Sequence, residues 1–187
     1  MNGFVKVLFK DESHFNNKIY KYKIGEENIA NSYDNEGNLL GFNFSNYENI
    51  ARWLVRGDTL YDVEIPKDTK IEKLDNPSTP NGVFRANKII LKNPRKIDDN
   101  LALELYKISN MPEKTYFKTL SGYAVRGYIN SAKQIIKDKV NKSNIDIAIS
   151  EYLDFYKPNA NDKKSGSYEC YMEILNMLIK ISEKSKE

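Results

Sequence analysis

Residues 83–108, with the sequence VFRANKIILKNPRKIDDNLALELYKI, contain the change of pattern that decides the fold. The stretch 83–91 is mostly apolar and includes the β-branched residues that strands favour, so it predicts a strand. Beyond Pro94, apolar residues recur at the spacing of one helical face, and they are Leu101, Leu105 and Ile108. The sequence therefore predicts strands before this point and helices after it.

The capping signals in this stretch support the same division. Either Asp98 or Asp99 is suited to begin the helix, because a carboxylate accepts hydrogen bonds from the free amides of the first turn. Further along the chain, Pro112 suits the first turn of another helix. Three more apolar patterns at helical spacing follow, over residues 132–140, 145–156 and 171–181.

The first half of the chain is predicted to form strands, because apolar and β-branched residues alternate with polar ones or cluster in short runs. These candidate strands cover residues 3–9, 19–24, 39–44, 59–65 and 69–74. Ser45 and Glu48 have the spacing of a capping box, which predicts one short helix that ends before Gly57. We therefore predict an α+β protein with a β-rich lobe over residues 1–96 and a helical lobe over residues 97–187.

The composition is that of a globular protein with a small net charge. The chain has 187 residues, of which 40% are hydrophobic and 29% are charged, and its net charge is +3. Abundant Asn, Ile, Lys and Tyr indicate an AT-rich genome, such as that of a low-GC bacterium or its phage. No apolar stretch approaches the roughly 20 residues of a membrane span, and the N-terminus lacks a signal-peptide core. We therefore expect no membrane partner and a cytoplasmic location in a bacterial host.

Residue types that usually carry chemistry are scarce. Cys170 is the only cysteine and His14 the only histidine, which excludes a disulfide framework and a multi-cysteine zinc site. We interpret Cys170 as a buried structural thiol and His14 as a solvated loop residue. Residues 122–127 lack the spacing of a phosphate-binding glycine loop, and the adjacent acidic pairs 26–27 and 98–99 diverge too much to share a metal ion. The sequence therefore predicts no catalytic residue, no metal ligand and no cofactor.

A cationic, tyrosine-rich stretch in the second half is the candidate contact surface. Eight of the 13 tyrosines follow residue 97, and tyrosine combines a large contact area with a polar tip. Lysines on one predicted helix add a positive flank that suits a nucleic-acid backbone or an acidic protein surface. The alternative is core packing for the tyrosines and an ordinary solvated face for the lysines. The predicted partner-binding residues are Tyr123, Arg126, Tyr128, Lys133 and Lys137.

The stretch 39–91 combines a glycine-aromatic strand, a serine and a short helix. Gly41 begins a strand that passes through Ser45 into the predicted helix, and residues 60–66 form the next strand. This order resembles the core of ADP-ribosyltransferase-like folds. Gly82 stands where that family has its essential glutamate, so the resemblance implies the scaffold without its transferase chemistry.

An enzyme that uses NAD is the alternative that this resemblance implies. The family has a histidine on its first NAD-contacting strand, where this chain has Tyr20 and Tyr22. A divergent transferase would then place NAD among Tyr20, Tyr22, Ser45 and Glu64, with Glu64 as its carboxylate.

In size, composition and strand-then-helix layout, the whole chain also resembles small accessory proteins of phages and prophages of low-GC bacteria. That class includes anti-CRISPR inhibitors of Cas9. The resemblance implies a non-enzymatic inhibitor of a host defence nuclease, which blocks DNA or PAM binding or the motion of a nuclease domain. The expected partner is a host protein such as Cas9 with its guide RNA. A direct nucleic-acid-binding protein is a further alternative, and the sequence leaves the oligomeric state open.

Overall fold

The computed structural model describes residues 3–15, 18–30, 32–33, 39–76, 79–159 and 166–185. Over these residues the fold is α+β, as predicted, with a seven-stranded antiparallel sheet, two small hairpins and five α-helices. The chain forms two compact units. One unit consists of Met1–Ile97 together with Ile108–Asn110, and the other consists of Asp98–Lys107 together with Met111–Glu187.

All strands of the described residues lie in the first unit. They are β1 (Phe4–Leu8), β2 (Glu12–Phe15), β3 (Lys18–Lys21), β4 (Glu27–Ile29), β5 (Ser32–Tyr33), β6 (Leu39–Leu40), β7 (Phe42–Asn46), β8 (Thr59–Glu64), β9 (Ile71–Asn76), β10 (Thr79–Ala86) and β11 (Lys88–Lys96). The large sheet has the order β4-β11-β8-β1-β7-β10-β9, and each neighbouring pair is antiparallel. Strand β2 pairs with β3, and β5 pairs with β6.

One core of this unit lies on a single face of the sheet. Side chains of a strand alternate between faces, so the apolar residues of β1, β7, β8, β10 and β11 at every second position meet on that side. Phe4 packs there against Phe44 and Phe84, with ring centroids 5.1 and 4.8 Å away. The buried residues of this core are Leu8, Tyr22, Ala30, Phe42, Phe44, Tyr61, Val63, Ala86, Ile89 and Leu91.

The single strand predicted over residues 83–91 is wrong, because the chain turns at Asn87 and forms two strands, β10 and β11. Asn87 is fixed by backbone and side-chain bonds: its amide donates to the Lys70 carbonyl at 3.1 Å, and its Oδ1 accepts from the Lys70 amide at 2.8 Å. The Asn87 carbonyl accepts from the Ala30 amide at 2.7 Å. An asparagine that satisfies three backbone groups in this way ends a strand without a glycine or proline.

The predicted capping box is also wrong. Ser45 lies in β7, and its hydroxyl donates to the Gly82 carbonyl at 2.6 Å instead of capping a helix. The segment after it forms two 3-10 helices, Tyr47–Asn49 and Ala51–Arg56, in place of one α-helix. The strand partner of Ser45 therefore outcompetes the local capping preference.

Strand β11 passes through Pro94, where the sequence analysis placed the end of the strands. Its register against β8 shifts between Lys92 and Arg95, and Asn93 has a φ of 50° at this irregularity. Asp62 of β8 holds the shifted segment, accepting from Asn93 Nδ2 at 2.9 Å and from Arg95 at 2.8 Å. Although partial burial opposes the effect, these hydrogen bonds and the Arg95 charge lower the pKa of Asp62.

The second unit is helical in its described residues. Its helices are α1 (Asp99–Ile108, whose last residue belongs to the first unit), α2 (Tyr116–Val125), α3 (Ile129–Lys139), α4 (Ile145–Asp154) and α5 (Gly166–Ser185). A 3-10 turn, Glu113–Thr115, follows Pro112 and leads into α2. In the core of this unit, Tyr152 stacks on Tyr171 with centroids 4.7 Å apart and donates its hydroxyl proton to the Tyr171 carbonyl at 2.9 Å.

The adjacent residues Asp98 and Asp99 cap two different helices. Asp98 Oδ1 accepts from the Leu101 amide at 2.8 Å and begins α1. Asp99 turns to α3, where its carboxylate accepts from the amides of Asn130 at 2.8 Å and Ser131 at 3.0 Å, and from the Ser131 hydroxyl at 2.7 Å. A negative charge at a helix N-terminus also interacts favourably with the helix dipole.

The short segment after α1 belongs to the strand unit. The Asn110 amide donates to the Glu48 carbonyl at 2.6 Å, and the Ala51 amide donates to the Ser109 hydroxyl at 3.4 Å. These bonds tie the segment to the two 3-10 helices.

The two capping aspartates give a test of the helical unit. We expect Asp99→Ala to lower the free energy of unfolding by about 1–3 kcal/mol, because three donors of α3 lose their acceptor. Asp98→Ala, which removes one cap bond, is the matched control and should cost about 1 kcal/mol. Urea unfolding followed by helical circular dichroism measures both. If Asp99→Ala destabilised the protein no more than Asp98→Ala does, the assignment of Asp99 as the cap of α3 would be contradicted.

Candidate ligand-binding cavity

The candidate site is a gap in the sheet between β1 and β7. Within the described residues these strands pair only at Phe4–Asn46 and Val5–Ser45, whereas β1 pairs with β8 as far as Leu8. Strand β7 remains paired with β10 along most of its length. Because each strand keeps its outer neighbour, the sheet opens between them, and a cavity of about 700 Å³ forms there.

The walls of this cavity are cationic and aromatic. Its basic residues are Lys6, Arg56 and Arg85. Its aromatic residues are Phe9, Tyr22, Phe42, Phe44 and Trp53. Glu12 is the one carboxylate among the described residues that line it. This excess of positive charge beside flat apolar surfaces suits a ligand that joins an anionic group to a ring.

Lys6 is the unusual residue of the cavity. It lies on the core face of β1, opposite Tyr61 of β8, and is 8% exposed. Its Nζ donates a hydrogen bond across the gap to the backbone carbonyl of Asn43 and lies 5.2 Å from the centroid of the Tyr22 ring. None of the ion pairs found in the described part of the chain includes Lys6.

The environment of Lys6 disfavours its charged form. Burial lowers the pKa of Lys6 to about 7, and the positive charge of Arg56 adds to the effect. A carbonyl and an aromatic ring offset only part of the solvation free energy that a buried ammonium ion loses. A bound anion would therefore stabilise the protonated side chain, and near neutral pH a substantial fraction of Lys6 is a free amine.

Neighbouring side chains orient the two arginines. The guanidinium carbon of Arg56 lies 4.4 Å from the centroid of the Trp53 ring. Arg52, which does not line the cavity, lies 5.0 Å from the same ring. Arg85 donates from Nε to Asn43 Oδ1 at 3.0 Å. Stacking and hydrogen bonding of this kind restrict the rotamers of a long side chain, so the positive charges are positioned before any ligand arrives.

The structure brings some residues of the NAD alternative to the cavity and not others. Tyr22 and Ser45 line it, and Tyr20 packs against Tyr22 with centroids 4.9 Å apart. Glu64 lies outside the lining and forms an ion pair with Lys92 at 2.5 Å. The carboxylate on which that alternative depends is therefore not placed with the tyrosines and the serine.

Gly82 has a structural reason to be glycine. Its φ is +70°, and a Cβ at this position would lie 2.3 Å from Asn49 Nδ2. Its carbonyl is also the acceptor of the Ser45 hydroxyl. At the position where the resemblance expects a glutamate, a side chain would therefore strain the backbone and displace Asn49.

The prediction that Tyr123 and Tyr128 contact a partner at the surface is wrong, because both side chains are buried. Tyr123 is 1% exposed and Tyr128 is 6% exposed, and their rings pack edge to face with centroids 5.7 Å apart. Burial raises the pKa of Tyr123 well above its usual value. The abundance of tyrosine does not separate a contact surface from a core, and at these two positions the core alternative is correct. Arg126, which follows α2, is half-buried.

The lysines of α3 divide between internal partners and solvent. Lys133 forms an ion pair with Glu173 of α5 at 2.7 Å. Lys139 lies over the Tyr116 ring, with its Nζ 4.5 Å from the centroid. Lys137 is exposed. The structure thus leaves a smaller cationic surface than the sequence predicted, and contact of Lys137 with a partner stays a prediction.

The remaining candidate residues carry little chemistry. Cys170 is buried, and burial raises its pKa to about 11, which agrees with a structural thiol. The backbone of His14 lies in β2, so its prediction as a loop residue is wrong, and its side chain lies outside the described part of the structure. Among the described residues, no group of three or more His, Cys, Asp or Glu is arranged to hold a metal ion.

Lys6, Arg56 and Trp53 were not among the site residues predicted from the sequence. A signal for Lys6 was present, because Phe4, Lys6 and Leu8 occupy one face of a predicted strand and the outer two are apolar. A charge at the central position of such a face indicates either a solvated edge or a buried functional group.

Comparison of the chain with protein-family models, with curated proteins and with solved structures gives no match. Among the described helices, none combines the length and the apolar composition that crossing a bilayer requires.

Lys6 predicts a particular dependence of stability on pH. Its pKa in the folded chain is about 7 against 10.5 for a free lysine, so between these values the unfolded chain holds more protons. The free energy of unfolding should therefore rise from pH 7 to 9, with a slope from this group that approaches about 1.4 kcal/mol per pH unit. Lys6→Met removes the group at similar volume and should lack this rise. Parallel pH profiles for the two proteins in urea unfolding would contradict the burial of an unpaired lysine.

Proposed function

We propose that this protein acts by binding, and that the cavity between β1 and β7 takes a small ligand in which a flat ring carries a phosphate or carboxylate. The observation that supports this most directly is the buried Lys6, which lies in a cavity with two oriented arginines and, among the described residues, one lining carboxylate. An anion that enters such a cavity is stabilised electrostatically by the excess of positive charge.

The requirement for an anionic group follows from the positive charge of the buried Lys6. Lys6 has a hydrogen bond to Asn43 and a ring contact with Tyr22, and neither of these neutralises its charge. Arg56 stacks on the Trp53 ring and lines the same cavity as Lys6. An anionic group supplies the counter-charge to both cations, and hydrogen bonds between charged groups in a partly buried site contribute about 1.5–3 kcal/mol each.

The requirement for a flat ring in the ligand follows from the aromatic side chains in the cavity walls. Tyr22 and Phe42 lie 5.3 Å apart, centroid to centroid, and both line the cavity beside Phe44 and Trp53. Aromatic walls favour a planar apolar group through offset or edge-to-face packing. The cavity of about 700 Å³ lies within the range that small-molecule sites occupy.

Titration with phenyl phosphate, inorganic phosphate and benzyl alcohol tests the two requirements separately. We expect phenyl phosphate to bind most tightly, because it satisfies both the cations and the aromatic walls. Arg56→Gln should weaken its binding about 10- to 100-fold, in line with the loss of one charge-assisted contact. Binding should also weaken from pH 6 to 9, as Lys6 loses its proton. Calorimetry gives the affinities, and amide chemical shifts show which residues respond.

Lys67→Gln is the control for this experiment, because it removes one positive charge from an exposed residue of the same unit that does not line the cavity. It should leave the affinity within about twofold, as expected for a screened surface charge. Equal binding of benzyl alcohol and phenyl phosphate, or no shift changes around Lys6 with phenyl phosphate, would contradict the proposal.

Inhibition of a host nuclease is a separate proposal for the protein's biological role. The exposed position of Lys137 on α3 supports it, because an exposed cation accelerates approach to a complex that carries guide RNA. Biolayer interferometry against purified Cas9–guide complexes tests it, with Lys137→Glu expected to slow association. No binding to several Cas9 types, or binding that is insensitive to Lys137→Glu, would remove this face from consideration.

A further inference from the structure

We propose that Lys6 is a reactive amine that forms an imine with the aldehyde of an anionic aromatic ligand bound in the cavity. This inference rests on the proposed function, because the cavity must first hold such a ligand. It assigns a covalent binding site to a residue that would otherwise serve only as a counter-charge.

The position of the amine carries the inference. Lys6 is 8% exposed and yet lines a cavity of about 700 Å³, so its surroundings are shielded from bulk water while a ligand in the cavity lies beside it. The Nζ atom donates a hydrogen bond to the carbonyl of Asn43. A neutral amine that donates one hydrogen keeps its lone pair for attack on a carbonyl carbon.

The other cavity residues supply the remaining requirements. Arg56, held on the Trp53 ring, and Arg85, held by Asn43, carry permanent positive charge for the phosphate or carboxylate of the ligand. The aromatic walls orient the ring, and orientation of a bound carbonyl beside an amine replaces an encounter in solution with a reaction inside one complex. Arg56 and Arg85 therefore hold the anion with their permanent charges, and the unprotonated fraction of Lys6 attacks the carbonyl.

The step needs no oxidant or reductant. The Nζ lone pair of the neutral amine forms a bond to the aldehyde carbon, and a proton moves from nitrogen to oxygen to give a carbinolamine. The carbinolamine loses its oxygen as water, which carries both original amine hydrogens, and a carbon–nitrogen double bond remains. Water reverses the reaction, so the adduct is a reversible covalent complex.

The charged and titratable groups around Lys6 favour the neutral amine near pH 7. Burial opposes protonation of Lys6, and repulsion by Arg56 opposes it further. The Tyr22 ring lies against Lys6. Tyr61 is the β8 partner of Lys6, and burial and the hydrogen bond to Asp11 raise the pKa of Tyr61 above its usual value. Glu12 is the one carboxylate among the described residues that line the cavity. An ordinary surface lysine, with a pKa near 10.4, has far less free amine at this pH.

Pyridoxal 5′-phosphate is the probe, because it joins a ring, a phosphate and an aldehyde. Pyridoxine 5′-phosphate has the same ring and phosphate with an alcohol in place of the aldehyde. The intact protein is incubated at pH 7.5 with a substoichiometric amount of each compound and reduced with sodium borohydride, which converts an imine to a stable secondary amine. Peptide mass mapping then locates the adduct. We expect the aldehyde to modify Lys6 at least tenfold more than any other lysine, and the alcohol to give no adduct.

Two variants separate the possible outcomes. Lys6→Arg keeps a positive charge without a nucleophilic amine and should lose the mapped adduct. Lys67→Arg should keep the adduct at position 6. Adducts spread over exposed lysines, with Lys6 unmodified, would overturn the imine. If pyridoxine 5′-phosphate still binds with its Arg56 dependence in that case, the proposed function stands and this inference alone fails. If neither compound binds in the cavity, both fail.

Discussion

The pairing between β1 and β7 is the constraint on which the rest of the first unit depends. These strands share two residue pairs and then separate, while each keeps its other neighbour in the sheet. A fully paired sheet would have satisfied the Asn43 carbonyl through the backbone and would have closed the space beside it. Because pairing stops after Val5 and Ser45, a side chain supplies the missing donor, and that side chain is the buried Lys6. One irregularity in the ladder thus accounts for both the cavity and its central charged residue.

Regular elements were the predictable part of the fold. Strand β8 and helix α1 follow clear periods of two and about 3.6 residues, and both form close to where the sequence placed them. The errors occurred where a short-range signal competes with a distant partner. Ser45 has the local spacing of a cap and instead binds Gly82, which is 37 residues away. Asn87 has no strong breaking character and ends a strand because three backbone groups from elsewhere meet it.

The site was harder to predict than the fold, for a physical reason. A cavity between two strands arises from pairings between residues far apart in the chain, and no local pattern encodes where such a ladder stops. Tyrosine abundance pointed to the helical unit, yet Tyr123 and Tyr128 fill its interior, and Tyr152 uses its hydroxyl to satisfy a buried carbonyl. The charge that interrupts the apolar face of β1 is visible in the sequence as Lys6 between Phe4 and Leu8, and it is the one local signal for the cavity. A single charged residue on an apolar strand face therefore indicates the position of a site better than the abundance of one residue type does.

The return of Ile108–Asn110 to the strand unit has a consequence for dissecting the molecule. The chain passes from one unit to the other after residues 97, 107 and 110, so neither unit is a continuous stretch of polypeptide. A fragment that stops at residue 97 lacks the Ser109 and Asn110 contacts to the 3-10 helices, and a fragment that begins at residue 98 carries those three residues away from their unit. Dividing the chain at residue 97 therefore yields two incomplete units. Precipitation of such a truncated protein would not show that the complete unit is unstable.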